Sequence, residues 1–139
     1  LAADVKYLQW KNVMDSFKMT FDSAALGGDV SFALPQNWKN QTVVMLGAAY
    51  KVNNQLTLRG GVNLASNPIP DSTVNPLFPA TIKNHVTAGF GYAMDKMSSF
   101  QASVTVAPTV TVVNASDPTK PVTVSHRQTN FQLMYSLAY

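Results

Sequence analysis

The last ten residues, NFQLMYSLAY, alternate strictly between two kinds of side chain. Large apolar residues occupy every second position, and small, polar or flexible residues lie between them. Successive side chains of a β-strand point to opposite faces of its sheet, so this pattern predicts a strand with one apolar face. An apolar surrounding is expected to cover that face, because soluble domains usually end in a polar tail. The apolar residues are Phe131, Leu133, Tyr135, Leu137 and Tyr139.

The same alternation recurs in earlier segments of the chain. Together with residues 122–139, the segments 2–10, 41–52, 55–65, 84–94 and 98–108 make six predicted strands. Each has one apolar face and one mixed face, and no amphipathic helix pattern of comparable strength separates them. The sequence therefore predicts an all-β antiparallel meander of about six strands. Residues 1–139 are expected to form a single segment.

The connections between the predicted strands alternate between short and long. Asn53-Asn54 and Asp95-Lys96-Met97 are short links whose residues suit tight hairpin turns. Residues 11–40, 66–83 and 109–121 are long links rich in Pro, Asn, Asp, Ser or Gly. Bacterial transmembrane barrels have this asymmetry, and their tilted strands need about 9 to 11 residues. The pattern favours a barrel segment in the bacterial outer membrane, in contact with the lipid bilayer and its lipopolysaccharide.

The composition favours a membrane barrel over a soluble domain. Charged residues make up 12% of the chain, which is about half of their usual share of roughly 25%. A soluble antiparallel sandwich or barrel also has alternating strands and remains the alternative. The longest apolar run, residues 43–50, is far shorter than the roughly 20 residues of a transmembrane helix.

The charge distribution and the lack of cysteine exclude several classes of function. The net charge is +3 but the basic residues are scattered, so a nucleic-acid partner is not expected. The chain contains no cysteine, which excludes disulfides and thiolate sites. His85 and His126 lack further ligands at metal-binding spacing. Ser125 and His126 are neighbours in a strand and point to opposite faces, so they do not form the Ser–His pair of a hydrolase. We expect neither an enzyme activity nor a cofactor.

Polar residues on the mixed faces are candidates for lining a lumen. A charge on the lipid face at mid-depth would cost about 2 to 4 kcal/mol, so Arg59 is expected to point inward. There Arg59 could bind a substrate carboxylate through a bidentate contact, or pair with a carboxylate elsewhere in the lumen. The other lumen-lining candidates are Lys51, Asn63, His85, Gln101, Asn130 and Gln132.

The long connections carry apolar residues among their prolines. These residues are predicted to lie outside the cell, where they could gather hydrophobic molecules or pack on neighbouring loops to seal the barrel. The candidates are Ile69, Val74, Leu77 and Phe78 in the second long connection, and Phe32 and Trp38 in the first.

Several short motifs occur in an informative order. They are the NW before a strand, LGAAYKVN running into a tight turn, LTLRGGV after it, SNPIPDS in a loop, NHVTAGFGYAMD, and the terminal NFQLMYSLAY. In this order they resemble the outer-membrane long-chain fatty-acid transporter family, the FadL and TodX group of hydrophobic-compound channels. The resemblance implies a monomeric barrel with an N-terminal hatch in its lumen, of which this chain matches about the last six strands.

The resemblance implies passive uptake of hydrophobic compounds such as long-chain fatty acids. Nothing in the chain matches the hatch or the earlier strands, so the family's gating residues cannot be assigned. Six strands are too few to enclose a lumen, since the smallest single-chain barrels have about eight. The missing N-terminal strands or other copies of the chain would complete the pairing. The terminal aromatic residue resembles an assembly signal, so residue 139 is expected to be a true end and residue 1 a processed or truncated start.

Two other interpretations stay open. A released β-segment could pair its edges with copies of itself in a fibril-like assembly. A soluble β-domain could instead bind a ligand or a partner.

Overall fold

Antiparallel strands make up most of the chain. The computed structural model describes residues 1–138, so the prediction for Tyr139 lies outside the described part. The strands are β1 (Ala2–Leu8), β2 (Ser16–Ser23), β3 (Gly28–Pro35), β4 (Gln41–Lys51), β5 (Leu56–Ala65), β6 (His85–Ala93), β7 (Ser98–Asn114) and β8 (Val122–Leu137). Three single-turn 3-10 helices span Trp10–Asn12, Ala24–Leu26 and Asp71–Thr73. Within residues 1–138, no helix has the length and hydropathy needed to cross a membrane.

Six of the strands form one sheet, in the order β1-β4-β5-β6-β7-β8, and every neighbouring pair is antiparallel. Apart from β2 and β3, strands that follow each other in sequence are neighbours in the sheet. The predicted all-β meander of about six strands is therefore confirmed.

The register keeps each class of side chain on one face of the sheet. One row across the strands consists of Tyr50, Leu58, Phe90, Ala102 and Leu133. The row beside it, which points to the opposite side, consists of Ala49, Arg59, Gly89, Ser103 and Gln132. We call the side of the sheet that carries the first row the apolar face, and the side that carries the second row the polar face.

Each of the six strands has at least one large side chain of the apolar face exposed. The exposed fractions include 67% for Val5, 50% for Leu46, 56% for Val86 and 79% for Phe131. Leu133, Tyr135 and Leu137 of the terminal strand are 72%, 59% and 59% exposed. A soluble sandwich would bury this face against a second sheet. The exposure is instead what a strand face in contact with lipid requires.

Two four-residue turns close one end of the sheet with the same hydrogen-bond pattern. The Oδ1 of Asn53 accepts the backbone N–H groups of Gln55 and Leu56, both at 2.8 Å. The strands beside the two turns end at Lys51 and Ala93 and resume at Leu56 and Ser98, within one residue of the predicted bounds. The turns span residues 52–55 and 94–97.

Asp95 has the equivalent role in the second turn. Its Oδ1 accepts from the N–H groups of Met97 and Ser98 at 2.7 and 2.8 Å, and its Oδ2 accepts from the Ser98 hydroxyl at 2.5 Å. The Ser98 hydroxyl, followed by the two backbone N–H groups, lowers the pKa of the Asp95 carboxyl from its ordinary value.

The prediction that residues 11–40 form a loop was wrong, because this connection contains the β2–β3 hairpin. Its register pairs Phe17 with Leu34, Met19 with Phe32, and Phe21 with Val30. Phe32, predicted as a loop residue, therefore lies in a strand. The tip turns at Gly27, whose φ of 81° is in the left-handed region that favours glycine.

Strand β7 is longer than predicted. The predicted strand ended at Pro108, and proline has no N–H for a ladder hydrogen bond. The register shifts between Ala107 and Val110, and this irregularity accommodates the proline while pairing continues to Asn114. The third long connection is therefore only residues 115–121.

The small buried core lies at the end of the sheet opposite the two tight turns. Ile69, Val74 and Val124 form a cluster that Trp38 and Val112 pack against. Val124 lies two residues before His126 and four before Gln128, so it shares their face of β8, the polar one. Residues 66–84, which we call the cap, therefore pack on the polar side of the extended β7–β8 hairpin.

Candidate functional site

The middle of the polar face is built around Arg59. Strand β5 places this residue between Ala49 and Gly89 in the register. Its Nη1 donates a hydrogen bond to Oε1 of Gln101, 3.1 Å away on β7, so the side chain reaches across β6. A Cβ atom at Gly91 would lie 2.9 Å from Nη1 of Arg59. The glycine in β6 therefore provides the space through which the guanidinium reaches its partner.

A hollow of about 310 Å³ opens beside this pair. It is shallow and lies over the centre of the polar face, where several residues have small side chains. Its walls include Arg59, Thr87, Gly89, Gln101, Ser103 and Gln132. Gly89 is closely packed, since a Cβ there would lie 2.7 Å from the carbonyl oxygen of Ala102. The absence of a side chain at residue 89 thus leaves room in the hollow and allows the β6–β7 contact.

The charge of Arg59 has no acidic counterpart on strands β4–β8, none of which contains Asp or Glu. The acidic residue of β1, Asp4, is opposite Met45, four residues along β4 from Ala49. Four residues of a strand separate the two positions by about 13 Å. The hydrogen-bond partner of Arg59 is instead the neutral amide of Gln101. The surroundings of the guanidinium therefore leave it able to attract an anionic group.

The other predicted lumen residues also lie on the polar face but farther from Arg59. Lys51 is opposite Thr57 beside a tight turn, and Asn130 is opposite Thr105. Asn63 and His85 are direct cross-strand partners near the cap. Of the seven candidates, the structure brings together Arg59, Gln101 and Gln132, which share the hollow.

Near the cap, the polar face has buried atoms with unused hydrogen-bonding capacity. Oδ1 of Asn63, Oγ1 of Thr81 and Nδ1 of His85 are buried, and no group among residues 1–138 hydrogen-bonds them. Buried polar atoms usually have partners, so this region is suited to water or to a further polar group. In the same described part of the chain, no cluster of His, Asp and Glu could hold a metal ion.

The cap is fixed to the β7–β8 hairpin through its backbone carbonyl groups. Asn114 Nδ2 donates to the Val74 oxygen at 2.8 Å, and Ser116 Oγ donates to the Ser72 oxygen at 2.8 Å. Nδ1 of His126 lies 3.0 Å from the Pro79 oxygen, so the tautomer with the proton on Nδ1 donates there. These bonds hold the cap at three separate places.

The opposite side of the cap is attached near the base of the β2–β3 hairpin. The Thr73 hydroxyl donates to the Gln36 oxygen at 2.7 Å, and the N–H of Lys39 donates to the Pro68 oxygen at 2.7 Å. The rings of Phe17 and Phe78 meet edge to face, with centroids 4.9 Å apart. The cap is thus held from both sides.

The predicted apolar loop residues separate into two groups. Ile69 and Val74 are 3% and 1% exposed. For these two residues, burial favours packing on neighbouring loops over gathering hydrophobic molecules. Trp38 and Phe78 are half-buried in the same region. Leu77 and Phe32 remain 67% and 41% exposed.

The sequence of this two-faced sheet matches a known protein family. The family described as outer membrane protein transport protein (OMPP1/FadL/TodX) matches residues 1–136. The chain belongs to this family. Its location is accordingly the bacterial outer membrane, as predicted. No match was found among curated protein sequences.

Solved structures of this family share the fold. The TodX monoaromatic hydrocarbon channel deltaS2 mutant has a TM-score of 0.81 and 35% identity, over 99% of this chain and 31% of its own. The toluene transporter TodX of P. putida has a TM-score of 0.76 and 35% identity, over 99% and 30%. The toluene transporter TbuX of Ralstonia pickettii has a TM-score of 0.69 and 23% identity, over 99% of this chain and 28% of its own, and supports the fold alone.

The chain thus spans about a third of the length of the FadL/TodX structures that it matches, with 31% of the first chain covered. The family and the matched structures are described as transport proteins and channels rather than enzymes.

Sequence reasoning missed several residues that shape the polar face. Gly89 and Gly91 allow the close approach of β6 to β7 and of Arg59 to Gln101. Two glycines inside one predicted strand are a signal for close approach, and they could have been found in this way. Asn114 and Ser116 hold the cap, but their partners are more than thirty residues away in sequence, at separations of 40 and 44.

Proposed function

We propose that this chain is part of a passive channel through which hydrophobic compounds cross the bacterial outer membrane. In this proposal its six-stranded sheet is the C-terminal portion of a larger barrel, and further strands pair with the edges of β1 and β8. Open edges in hydrocarbon would leave backbone groups unsatisfied, at several kcal/mol each. The much greater length of the matched structures supports this arrangement.

The observation that carries the proposal is the difference between the two faces of the sheet. The apolar face is exposed at positions such as Phe131 and Leu133, at 79% and 72%. The polar face has the Arg59 hollow, of about 310 Å³. A closed barrel with this sheet in its wall would turn the first face to lipid and the second to the lumen.

Small aromatic hydrocarbons are the first substrate class that we propose. The matched TodX structures, at 35% identity, are described as a monoaromatic hydrocarbon channel and a toluene transporter. A hollow of about 310 Å³ lies at the lower end of the volumes typical of small-molecule sites. No covalent step and no cofactor is needed for diffusion through such a path.

Long-chain fatty acids are the second candidate class. The specific observation in favour is Arg59, whose hydrogen-bond partner is a neutral amide and whose strand neighbours carry no carboxylate. A guanidinium in this setting can bind a carboxylate through two parallel hydrogen bonds. An aromatic hydrocarbon has no such group, so the role of Arg59 distinguishes the two classes.

The test is an uptake measurement with the full-length protein that contains this segment, in cells that lack other channels of the family. Expression is expected to raise the initial rate of toluene uptake above that of cells without the protein. Equal rates, with correctly folded protein in the outer membrane, would contradict the channel proposal. Heat-modifiable gel migration reports folding independently of transport.

Substitution Arg59→Gln separates the two substrate classes. If fatty acids are carried, their uptake at low concentration is expected to fall about fivefold, the effect of losing roughly 1 kcal/mol from a solvated charge pair. Toluene uptake is expected to stay unchanged. Lys51→Gln is the matched control, because it removes a cation from the same face beside the turn. Equal fatty-acid uptake by both variants and by the unaltered protein would remove Arg59 from substrate binding.

A further inference from the structure

Arg127 is the one charged side chain that the described strands of the six-stranded sheet place on the apolar face. It lies four residues before Phe131 in β8, so the two residues share a face. The other charged residues of these strands lie on the polar face, and they are Asp4, Lys6, Lys51 and Arg59. Arg127 is also exposed. A cation on the side that the channel proposal turns to lipid therefore needs a physical reason.

The height of Arg127 on the sheet places it at the edge of the hydrocarbon. Ten residues of β8 separate it from Leu137 beside the second tight turn, which is about 33 Å along the strand. A tilt of about 40° converts this length into a height of about 25 Å, which is also the height of the apolar band of outer-membrane barrels. The cost of a charge is small at this level, and tight turns lie on the periplasmic side. Arg127 thus lies at the level of the outer lipid headgroups.

The side chains around Arg127 give the same boundary. Beyond it, Ser125 and Thr123 continue the face with hydroxyl groups, and Oγ of Ser125 lies 3.0 Å from Oγ1 of Thr111. On the other side, toward the tight turns, Phe131 and Leu133 begin the apolar stretch. The face therefore changes from apolar to polar at Arg127.

No carboxylate of the β7–β8 hairpin occupies the guanidinium. Neither strand contains Asp or Glu. Asp117 lies in the connection past Val122, which is five residues and about 16 Å along β8 from Arg127. Its Oδ1 accepts the N–H and the hydroxyl of Thr119, at 2.9 and 2.6 Å. The planar guanidinium is suited to bind a phosphate through two parallel hydrogen bonds.

A shallow hollow of about 430 Å³ lies on the apolar face, nearer the middle of the sheet. In the register, Ala102 lies between Phe90 of β6 and Leu133 of β8, so a small side chain separates two large ones. We call this hollow the apolar trough, and its residues include Ala88, Phe90, Ala102, Val104, Phe131 and Leu133. A hydrocarbon chain in the trough would gain dispersion contacts on more than one side, which a flat lipid-facing surface does not offer.

The separation of Arg127 from the apolar trough matches one lipid molecule. Six residues of β8 separate Arg127 from Leu133, which is about 20 Å along the strand. At the same tilt this is a depth of about 15 Å, or half of a hydrocarbon core of about 30 Å. An acyl chain whose headgroup is beside Arg127 therefore reaches the trough within its own leaflet.

We propose that Arg127 and the apolar trough form a binding site for lipopolysaccharide of the outer leaflet. Arg127 binds a phosphate of the lipid A headgroup, and one acyl chain lies along β7 in the trough. This inference rests on the proposed channel function, because that function turns the apolar face to lipid. The charge of the guanidinium and the apolar lining of the trough are complementary to the two parts of this lipid.

The first test titrates the full-length protein that contains this segment with lipid A in detergent, and native mass spectrometry counts the bound lipid. Arg127→Gln is expected to raise the Kd about fivefold, the effect of a solvated charge pair. Dephosphorylated lipid A is expected to bind the unaltered protein and Arg127→Gln equally. Lys96→Gln is the matched control, since it removes an exposed cation at the tight-turn end of β7. Its Kd for lipid A is expected to stay unchanged.

The second test fills the apolar trough. Ala102→Phe is expected to raise the Kd about threefold for lipid A and for its dephosphorylated form alike, because the acyl chain loses contacts in both. Ala48→Phe is the control, since it adds the same side chain to the apolar face in β4, away from the trough. Heat-modifiable gel migration reports folding of every variant.

Three binding outcomes would overturn the inference. An unchanged Kd in Arg127→Gln means that no phosphate binds there. Equal weakening of both lipid forms by Arg127→Gln means that Arg127 instead pairs with a group of the remaining chain. An unchanged Kd in Ala102→Phe means that no acyl chain lies in the trough.

Toluene uptake separates this inference from the channel proposal. Arg127→Gln and Ala102→Phe are expected to take up toluene at the unaltered rate, since both residues lie on the apolar face. If the unaltered protein transports toluene but binds lipid A no better than Arg127→Gln does, the lipid site fails and the channel proposal stands. If the unaltered protein gives no uptake while the expected Kd differences are found, the channel proposal fails and the lipid site stands.

Discussion

The two faces of the six-stranded sheet are made by the same strands, yet they differ in chemistry and in packing. On the apolar face, Leu58, Phe90 and Leu133 share one row and are exposed. On the polar face, the adjacent row has Arg59 and Gln132 beside a hollow. The shift between these rows is a single residue along each strand. The register alone therefore decides which side chains lie on each face.

The two faces also differ in how they meet other parts of the chain. The cap packs on the polar side of the sheet, where Val124 is 8% exposed. The apolar face keeps large exposed side chains in each of its six strands. A soluble domain would bury the apolar face first, so the pattern is the reverse of that expected in water. This comparison supplies the following predictions, from the largest effect to the smallest.

Placing a charge on each face in turn is the strongest test of the comparison. Phe131→Lys is expected to lower the free energy of unfolding by about 2 to 4 kcal/mol in a bilayer, since the charge enters hydrocarbon near mid-depth. Asn130→Lys, one residue away on the polar face, is expected to have little effect. Urea unfolding of the full-length protein from lipid vesicles measures both. Equal losses for the two variants would show that the faces are not in different environments.

Adding one methyl group at two glycines tests how closely the polar face is packed. Gly89→Ala is expected to cost about 1 to 3 kcal/mol, because the new atom must displace backbone rather than a flexible side chain. Its Cβ would lie 2.7 Å from the Ala102 oxygen, whereas at Gly47 the nearest atom is 3.8 Å away. Gly47→Ala is thus the control. The same unfolding measurement applies, and an unaffected Gly89→Ala variant would mean that the contact between β6 and β7 is looser than described.

Truncating a cap residue tests the packing that covers one end of the polar face. Val74→Ala is expected to weaken the cap by about 1.5 kcal/mol, the value of two buried methyl groups. Leu77→Ala is the control in the same loop, since Leu77 is 67% exposed and Val74 only 1%. Limited proteolysis of the loop in folded protein measures the local effect. Equal cleavage of the two variants would contradict the description of the cap as a fixed element.

Acid is expected to weaken one of the two tight turns and not the other. The lowered pKa of Asp95 stabilises its turn at pH values above the ordinary carboxyl pKa of 3.8, and this stabilisation is lost as the pH falls through the lower folded-state pKa. Asn53 makes the equivalent bonds without a charge. Amide exchange at Met97 and Ser98, relative to the amides held by Asn53, measures the effect. Asp95→Asn is expected to abolish the difference, and a difference that persists in Asp95→Asn would refute the assignment to this carboxyl.

Much of the sheet could be predicted from the sequence because each strand has its own period-two signal. The alternation around Phe131 and the Asn and Asp residues of the tight turns need no distant contact to be recognised. The β2–β3 hairpin has the same signal at Phe17, Met19 and Phe21, but the surrounding residues were interpreted as one long loop. That error was avoidable from the sequence itself.

The candidate site was less predictable, since it depends on which strands become neighbours. Arg59 and Gln101 could each be assigned to the polar side, but their hydrogen bond needs β6 between them with glycine at residue 91. The cap shows the same limit. Burial of Ile69 and Val74 depends on Val112 and Val124, which come from strands formed by a later part of the chain.

The sequence by itself determined the strands, the tight turns and the division of side chains between two faces, because these follow from the geometry of adjacent residues. Only the tertiary structure decided the rest. The register brought Arg59 to Gln101, the irregularity after Ala107 carried β7 past a proline, and the cap folded onto the polar side. Each of these depends on contacts between segments far apart in the chain, whose pairing is fixed by the packing of the whole sheet.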